Sequence, residues 1–407
     1  MNILLFTSAF PYGGDSENFL RNELNIGSKI SSITVLPFSK RGSAREVPNN
    51  VLVNNVCNNQ SKIFYLIVLI KMLFSFYFWK SILSKKFIKA KKINQKYFYI
   101  KSLFGALIIK TVVKKRKIHY DSDTIFYSYW LTYAPLGLAM LKREGLLKNK
   151  IVSRGHSYDV DEEEVGFHFP LRSLMYKYVD HIFPISTIAA NTIIRRYPKS
   201  INKLNIQRLG VLSIKNSLNI LEPGVIKVVS CSGVRSEKRV NLIFKSLNRY
   251  CMEHSKSIVQ WTHIGGGGID FENLKQETVF AEQNLNVNIL GNLDYDEIYN
   301  YYKKNDINIF INLSLREGVP VAIMEALSAS MTVLATDVGA TSEIVNKEIG
   351  VLINKNFSQK DFNNGINYII YNYYNLSKNT YEIYKNYYNS NNNYIDFYNI
   401  LNHLNKT

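Results

Sequence analysis

Cysteine is scarce in this sequence, and its pattern excludes several kinds of protein. The three cysteines, Cys57, Cys231 and Cys251, are an odd number in 407 residues and form no CxxC pair. This argues against a disulfide framework or a zinc site and favours a reducing cytoplasm. The first residues, MNILLFTSAFPYGG, have no basic stretch and only a short apolar run, so we interpret them as a strand and a glycine turn rather than a signal peptide.

Acidic residues are missing from one long segment. Residues 47–120 contain no Asp or Glu but 15 Lys or Arg, in a chain whose formal charge is +18. Within residues 61–117 the lysines alternate with aromatic and aliphatic residues at roughly helical spacing, which is typical of helices that lie on anionic lipid. We therefore predict a basic amphipathic segment on an anionic membrane surface. The alternatives are ordinary domain helices with solvated lysines and a nucleic-acid interface, and no nucleic acid is expected as a partner.

Long hydrophobic runs are also scarce. The best candidate for a membrane span, residues 63–79, is 17 residues long with Lys71 in its middle, which is at the short limit for a span. We interpret it as a helix that is buried or lies on a surface.

Short apolar runs separated by helical patterns fill the chain, and this rhythm restarts at Val225. Strands that alternate with helices predict parallel sheets, which bind ligands at the carboxyl ends of their strands. We predict an α/β protein of two Rossmann-like domains facing across a central cleft. The N-terminal domain would cover residues 1–214 and the C-terminal domain residues 215–380, with a helical tail at 381–407 that packs back on the N-terminal domain.

The stretch LREGVPVAIMEALSAS contains two acids, Glu317 and Glu325, eight positions apart. We predict a loop at residues 314–320 that feeds a helix beginning at Val321, whose free N–H groups suit a phosphate or sugar oxygens. Glu317 at the helix mouth can accept hydrogen bonds from sugar hydroxyls, and Glu325, about one turn inside, can accept hydrogen bonds from both hydroxyls of a ribose diol. The alternative is a solvated Glu317 and a locally paired Glu325.

The longer stretch INLSLREGVPVAIMEALSASMTVLATDVGATSEIV resembles the nucleotide-sugar site of family-4 retaining glycosyltransferases, which have the GT-B fold and a Glu-x7-Glu motif. The resemblance implies that Glu317 contacts the donor sugar and that Glu325 holds the nucleotide ribose. It also implies that the amides of Gly318 and Val319 face the sugar or diphosphate. Ser330 departs from the family, which usually has Gly there, and this affects the turn between helix and strand.

Other motifs resemble the family in the expected order. In SCSGVRSEKRVNLIFKSL, Lys238 matches the lysine that binds the donor diphosphate. The family's partner arginine would stand at Gly233, so Arg235 is either its substitute or a plain surface arginine. In SRGHSYDVDEEE, His156 matches the histidine that reaches the transferred sugar. The resemblance therefore implies that His156, Glu317 and Lys238 are catalytic.

Three further patterns bear on the same chemistry. Gly13 and Gly14 resemble the family's N-terminal glycine loop, which lets donor phosphate or acceptor approach the backbone. Residues 265–268 are four glycines but complete no GxGxxG fingerprint, so a nicotinamide cofactor is not expected. Asp159-Val160-Asp161 imitates the metal-binding DxD of another glycosyltransferase fold. The glutamates that follow it are typical of a first helical turn, and we expect no metal.

The resemblance thus implies a retaining, metal-independent hexosyltransferase without a cofactor. Its donor would be a nucleotide-diphosphate sugar, UDP-linked by default, and its acceptor a hydroxyl of a lipid-linked glycan or polysaccharide in cell-surface glycan synthesis, such as capsule or exopolysaccharide. The enzyme would be cytoplasmic and peripheral on the inner face of the plasma membrane. The alternatives are a GT-B nucleotide-sugar epimerase and a non-enzymatic membrane-docked scaffold with a relic sugar site.

Overall fold

The computed structural model describes residues 1–13, 17–115, 117–214 and 217–406. These residues form two compact units. The first comprises Met1–Arg208 together with the segment from Asn391 onward, and the second comprises Leu209–Ser390. The sequence had placed the corresponding boundaries at 214/215 and 380/381.

Twelve strands and eighteen α-helices lie within the described residues. The strands are Asn2–Thr7 (β1), Ser32–Pro37 (β2), Val51–Val53 (β3), Ile125–Ser128 (β4), Ile151–Gly155 (β5), His181–Pro184 (β6), Val225–Cys231 (β7), Ile258–Ile264 (β8), Leu285–Gly291 (β9), Ile309–Asn312 (β10), Thr332–Thr336 (β11) and Gly350–Ile353 (β12). The helices are Leu20–Gly27 (α1), Lys62–Leu73 (α2), Phe76–Ile82 (α3), Lys85–Lys89 (α4), Ile93–Lys114 (α5), Tyr133–Arg143 (α6), Ser157–Val160 (α7), Glu162–Val165 (α8), Arg172–Tyr178 (α9), Thr187–Arg196 (α10), Val240–Glu253 (α11), Gly268–Thr278 (α12), Tyr295–Lys304 (α13), Val321–Ser328 (α14), Thr341–Ile344 (α15), Gln359–Tyr371 (α16), Tyr373–Ile383 (α17) and Ser390–Lys406 (α18).

Each unit contains one parallel six-stranded sheet with the strand order of a Rossmann fold. The order is β3-β2-β1-β4-β5-β6 in the first unit and β12-β11-β10-β7-β8-β9 in the second. Strands such as β4, β5 and β11 are buried along their whole length, as expected when helices cover both faces of a parallel sheet. The order reverses between β1 and β4 and between β7 and β10. Parallel sheets bind ligands at these two points, outside the carboxyl ends of the strands.

Helix α18 completes the core of the first unit. Phe397 packs against Tyr127 and Phe183, with ring centroids 5.4 and 5.1 Å apart. Tyr398 is fully buried and lies where any side chain at Gly27 would stand. The tail of the chain is therefore a structural part of the first unit.

The basic segment folds as α2 to α5, and serines divide it. The hydroxyls of Ser61, Ser75 and Ser84 accept hydrogen bonds from amides three residues later and begin α2, α3 and α4. Residues 63–79 are thus two helices rather than one, because α2 and α3 are bent by 65° at Ser75. In the part of the chain that the structure describes, no single helix is long and apolar enough to cross a membrane, although α2 and α3 together pass that test.

Candidate active site

The predicted loop at residues 314–320 leaves β10 at the reversal point of the second sheet. It leads into α14, which begins at Val321 as predicted. Backbone hydrogen bonds and two side chains from neighbouring segments hold this loop. The two side-chain donors are Arg239 Nε, which donates to the Leu313 carbonyl (2.5 Å), and Thr336 Oγ1, which donates to the Ser314 carbonyl (2.6 Å). In the backbone, the Leu315 amide donates to the Glu237 carbonyl (2.8 Å), and the Ala340 amide donates to the Gly318 carbonyl (2.9 Å).

Glu317 and Lys238 form an ion pair in this loop. Lys238 Nζ lies 2.7 Å from Glu317 Oε1, and Asn312 Nδ2 donates to the same oxygen at 3.1 Å. The Glu317 side chain is only 8% exposed, whereas that of Lys238 is 28% exposed. Because ammonium has three donors, Lys238 can bind a second anion while it keeps Glu317 in place.

Glu325 lies one turn inside α14 and is almost fully buried. Burial raises the pKa of its carboxyl to about 8, against the opposing effect of a hydrogen bond from Tyr299. Burial, together with the negative charge of ionised Glu325, raises the pKa of the Cys231 thiol to about 12. A carboxyl in this environment is largely protonated near neutral pH unless a ligand supplies hydrogen-bond donors.

Open amide donors lie between the two acids in the sequence, at the start of α14. Pro320 at the N-cap of α14 supplies no side-chain acceptor, and among the described residues the amides of Gly318 and Val319 have no hydrogen-bond partner. Gly339 makes the close approach of the next loop possible, because a Cβ there would stand 1.8 Å from the Glu317 carbonyl oxygen. Gly339 was not singled out from the sequence, although it lies within the stretch that carries the resemblance.

Arg235 occupies the loop after β7, as Lys238 does. Its side chain is exposed and, within the described residues, makes no hydrogen bond or ion pair. A Cβ at Gly233 would lie 3.6 Å from Arg235 Nε, so the arginine stem folds back over that glycine. The replacement of the family's arginine by Arg235 therefore stays a prediction.

The backbone of the loop at residues 265–268 explains why glycine stands at its first position. Gly265 has φ +122°, and a Cβ there would lie 2.0 Å from the Ser232 carbonyl oxygen. The Gly265 amide donates to the Gly291 carbonyl at 2.7 Å. The loop therefore brings the ends of β7, β8 and β9 close together.

In the first unit, the loop after β1 contains an acid that was missed from the sequence. The Glu17 carboxylate accepts hydrogen bonds from the backbone amides of Ser8, Ala9 and Phe10 at N–O distances of 2.7–2.8 Å. It also accepts one from Trp130 Nε1 at 2.5 Å. It is buried at φ +61°, an uncommon conformation for a non-glycine residue. The available signal was an acid shortly after a glycine turn at the end of the first strand, where backbone amides converge.

Gly13 lies in the same loop, and Gly14 is outside the described residues. Gly13 has φ +88°, and its amide donates to the Arg41 carbonyl at 2.8 Å. It lines a cavity of about 600 Å³ at the reversal point of the first sheet. We call this the aromatic cavity, because its walls include Phe38, Phe98, Trp130, Tyr133, Tyr158 and Phe169.

His156 follows β5 and is buried beside this region. Its ring centroid lies 4.4 Å from that of Trp130 and 5.0 Å from that of Tyr129. Among the described residues neither ring nitrogen has a hydrogen-bond partner, and Asp159 Oδ2 is 3.7 Å from Nδ1. A buried imidazole with both nitrogens available can donate to or accept from a bound hydroxyl.

The two aspartates that imitate DxD, Asp159 and Asp161, are bound by other groups of the protein. Asp159 accepts the amides of His156 and Leu131 at 2.6 and 2.7 Å, and Asp161 pairs with Arg196 at 3.2 Å. Glu162 begins α8, as the sequence predicts, and is buried; burial opposes its charge, but Arg172 and Lys86 lower its pKa to about 2. The described residues hold no group of three or more His, Cys, Asp or Glu that could bind a metal.

Two Rossmann-like units in one chain are the hallmark of the GT-B class, and comparison with solved structures confirms this fold prediction. The apo form of the lipopolysaccharide outer core galactosyltransferase WaaB matches with a TM-score of 0.67 at 15% identity, covering 98% of each chain. HepE from Anabaena, solved in complex with UDP, matches with a TM-score of 0.67 at 15% identity, covering 99% of this chain and all of that one.

The second unit can be assigned to a family. Residues 219–387 match the model of glycosyl transferases group 1, so the chain contains a domain of that family. The O-antigen biosynthesis glycosyltransferase WbnH of Escherichia coli is 26% identical over 36% of this chain and 40% of its own length. The amylovoran biosynthesis glycosyltransferase AmsK of Erwinia amylovora is 21% identical over 60% of each chain. The matches therefore span less than two-thirds of these relatives.

Proposed function

We propose that this protein is a retaining glycosyltransferase that moves a hexose from a UDP-linked donor to a hydroxyl of a lipid-linked or polysaccharide acceptor. The observation that carries the proposal is the Lys238–Glu317 ion pair at 2.7 Å, beside the uncapped N-terminus of α14. A cation and open amides suit a diphosphate, and neighbouring acids suit sugar hydroxyls. The WbnH and AmsK relatives, named for O-antigen and amylovoran biosynthesis, support a role in cell-surface glycan synthesis.

In this proposal the second unit binds the donor. Lys238 and the amides of Gly318 and Val319 neutralise the charge that develops on the leaving diphosphate. Glu317 accepts hydrogen bonds from the donor sugar hydroxyls, and Glu325 accepts hydrogen bonds from the ribose diol. The complex of HepE with UDP supports a uridine nucleotide. The acceptor hydroxyl attacks on the face from which the diphosphate leaves, and a diphosphate oxygen takes its proton.

The first unit would bind the acceptor, with His156 contacting the transferred sugar. No cofactor or metal takes part in the proposed reaction. Arg235 would add a second cation near the diphosphate.

A screen of nucleotide sugars tests the function. We expect one UDP-sugar to raise the melting temperature, and mass analysis with a short lipid-linked acceptor to show one added hexose. Conversion of the donor without any acceptor would instead indicate an epimerase. If no nucleotide sugar changes the melting temperature, the protein is a scaffold and the proposal fails.

The affinity for UDP should rise with pH. The ionised form of Glu325 can accept a hydrogen bond from each ribose hydroxyl with its two oxygens, and these donors lower its pKa from about 8, so binding releases a proton. Between pH 6.5 and 8.5 we expect the affinity to increase roughly tenfold or more. Isothermal titration calorimetry in buffers of different ionisation enthalpy measures both the affinity and the proton release.

Two controls separate this effect from general changes of charge. Glu325→Gln should bind UDP more weakly and with a much smaller dependence on pH, because the remaining dependence comes only from the terminal phosphate of UDP. The 2′-deoxy analogue of UDP lacks one of the two hydroxyls and should show a smaller pH dependence with the native protein. An equally steep rise in the Gln variant would show that another group titrates.

The proposal also includes docking on an anionic membrane, which places the protein on the inner face of the plasma membrane. Helices α2 and α3 and the junction between them expose a series of large apolar side chains, among them Phe74 (85%), Ile63 (69%), Phe76 (57%) and Trp79 (54%). Lys62, Lys71 and Lys80 lie on the same two helices. Apolar and aromatic side chains bordered by lysines match the interface of an anionic bilayer.

Vesicle binding tests this surface. Burying one large apolar side chain contributes about 1.5–3 kcal/mol, so Phe74→Ser with Trp79→Ser should lower partitioning onto phosphatidylglycerol-containing vesicles by roughly 100-fold or more. Phe280, which is 80% exposed on the second unit, offers the matched control, and Phe280→Ser should leave partitioning unchanged. Equal partitioning of all three proteins in a sedimentation assay would exclude α2 and α3 as the docking surface.

A further inference from the structure

Lysines line a second cavity in the first unit, which none of the roles described above uses. The cavity, of about 440 Å³, lies between α4 and the start of α5. We call it the lysine pocket. Its lining residues are Lys85, Lys86, Lys89, Ala90, Lys91, Lys92, Gln95 and His168.

Among the residues that the structure describes, most of this positive charge has no counter-ion. Lys86 pairs with the buried Glu162, which also contacts Arg172 and His168. Within the described residues Lys85, Lys89, Lys91 and Lys92 make no ion pair, and no acid lines the pocket. Four like charges around one cavity repel each other, and a multiply charged anion would relieve that repulsion.

The lysine pocket adjoins the aromatic cavity. Gln95 lines the first and Phe98 the second, and these residues are three apart on α5, so they lie on the same helix face within one turn. His168 and Phe169, which are consecutive in the chain, line the two cavities in the same way. Gln95 Nε2 donates to the Gly166 carbonyl at 2.9 Å and joins α5 to this segment.

Exposed apolar side chains lie next to the lysine pocket. Leu83 precedes α4, Ile88 lies on it and Ile93 begins α5, and these side chains are 68%, 63% and 81% exposed. An anion that binds here therefore has exposed apolar side chains and the aromatic cavity in its neighbourhood.

We propose that the lysine pocket binds the diphosphate of a lipid diphosphate, so that the sugar attached to this diphosphate occupies the aromatic cavity. Aromatic faces and a few polar groups suit a sugar ring, and lysines bind phosphate oxygens as point charges. The lipid chain then lies along the exposed apolar side chains. The inference rests on the proposed function, because it specifies the acceptor of that reaction.

Binding of farnesyl diphosphate, at concentrations below its micelle formation, tests the proposal. We expect the Lys89→Ala, Lys92→Ala double variant to bind it at least about tenfold more weakly than the native chain, since each lost charged hydrogen bond contributes about 1.5–3 kcal/mol. The matched control is Lys114→Ala with Lys115→Ala, which removes two exposed lysines from the end of the same segment. It should change the dissociation constant less than about twofold.

Two comparison ligands identify what the pocket recognises. Farnesol and inorganic diphosphate should each bind more weakly than farnesyl diphosphate. Inorganic diphosphate binding as tightly would overturn the lipid assignment, and equal binding by the two double variants would overturn the site. The Lys89, Lys92 variant should keep the native melting-temperature shift with nucleotide sugars. If farnesyl diphosphate binds as expected while no nucleotide sugar does, the pocket stands and the proposed transfer reaction fails.

Discussion

Replacing Lys238 by alanine should lower kcat/KM for hexose transfer by roughly 10²–10³-fold, the effect of removing one donor that stabilises charge in a transition state. Lys238 is the cation paired with Glu317, and its side chain is partly exposed and able to reach a ligand. Its loss removes the charge that would neutralise the leaving diphosphate and one of two donors that orient Glu317. Steady-state kinetics with the donor identified by the melting-temperature screen would measure the change.

Lys245→Ala is the matched control for this variant. Lys245 lies on α11 in the same unit, is 61% exposed and contacts Glu277 at 3.5 Å. Its removal should leave kcat/KM within about twofold, because exposed ion pairs contribute little. Lys238→Arg keeps the charge and should recover part of the rate. Near-normal turnover by Lys238→Ala would refute its role in leaving-group stabilisation.

Replacing Arg154 by methionine should destabilise the first unit by about 3–5 kcal/mol, because it leaves a buried carboxylate without its partner. The Arg154 guanidinium is fully buried, lies 3.0 Å from the Glu23 carboxylate and donates to Tyr127 Oη at 2.8 Å and to the Gln207 carbonyl at 3.0 Å. The ring of Phe397 lies 4.2 Å from it. Urea unfolding monitored by circular dichroism would measure the loss.

Two variants show whether the buried charge is the cause. Combining Arg154→Met with Glu23→Gln removes both charges and should recover a large part of the lost stability. Arg249→Met removes an exposed arginine that pairs with Glu253 at 3.2 Å, and should change stability by less than about 1 kcal/mol. If the double variant were no more stable than Arg154→Met alone, packing around the guanidinium would be the dominant contribution.

The sequence was most informative where local patterns determine structure. The loop at 314–320 and the helix start at Val321 were predicted from a strand, a glycine and a proline, which act within a few residues. The alternation of strands and helices was sufficient to predict two Rossmann-like units. The serines at 61, 75 and 84 could also have revealed the division of the basic segment, since each precedes a helical stretch as an N-cap residue does.

Contacts between distant positions could not be predicted in the same way. Glu17 and Trp130 are 113 residues apart, and Arg154 and Glu23 are 131 apart. The close approach of Gly339 to Glu317 depends on how two loops after β10 and β11 pack. The pairing of Lys238 with Glu317 is likewise a property of adjacent strands rather than of either motif alone.

The return of the chain to the first unit determines the order in which the molecule can be assembled during synthesis. The second unit is continuous in sequence, so its core can form as soon as its last residues leave the ribosome. The core of the first unit is completed only when Phe397 and Tyr398 have been synthesised, although most of that unit is synthesised first. A nascent chain therefore carries an unfilled apolar groove beside Tyr127 and Gly27 through most of translation, and a stop codon before residue 391 would leave that groove permanently open to solvent.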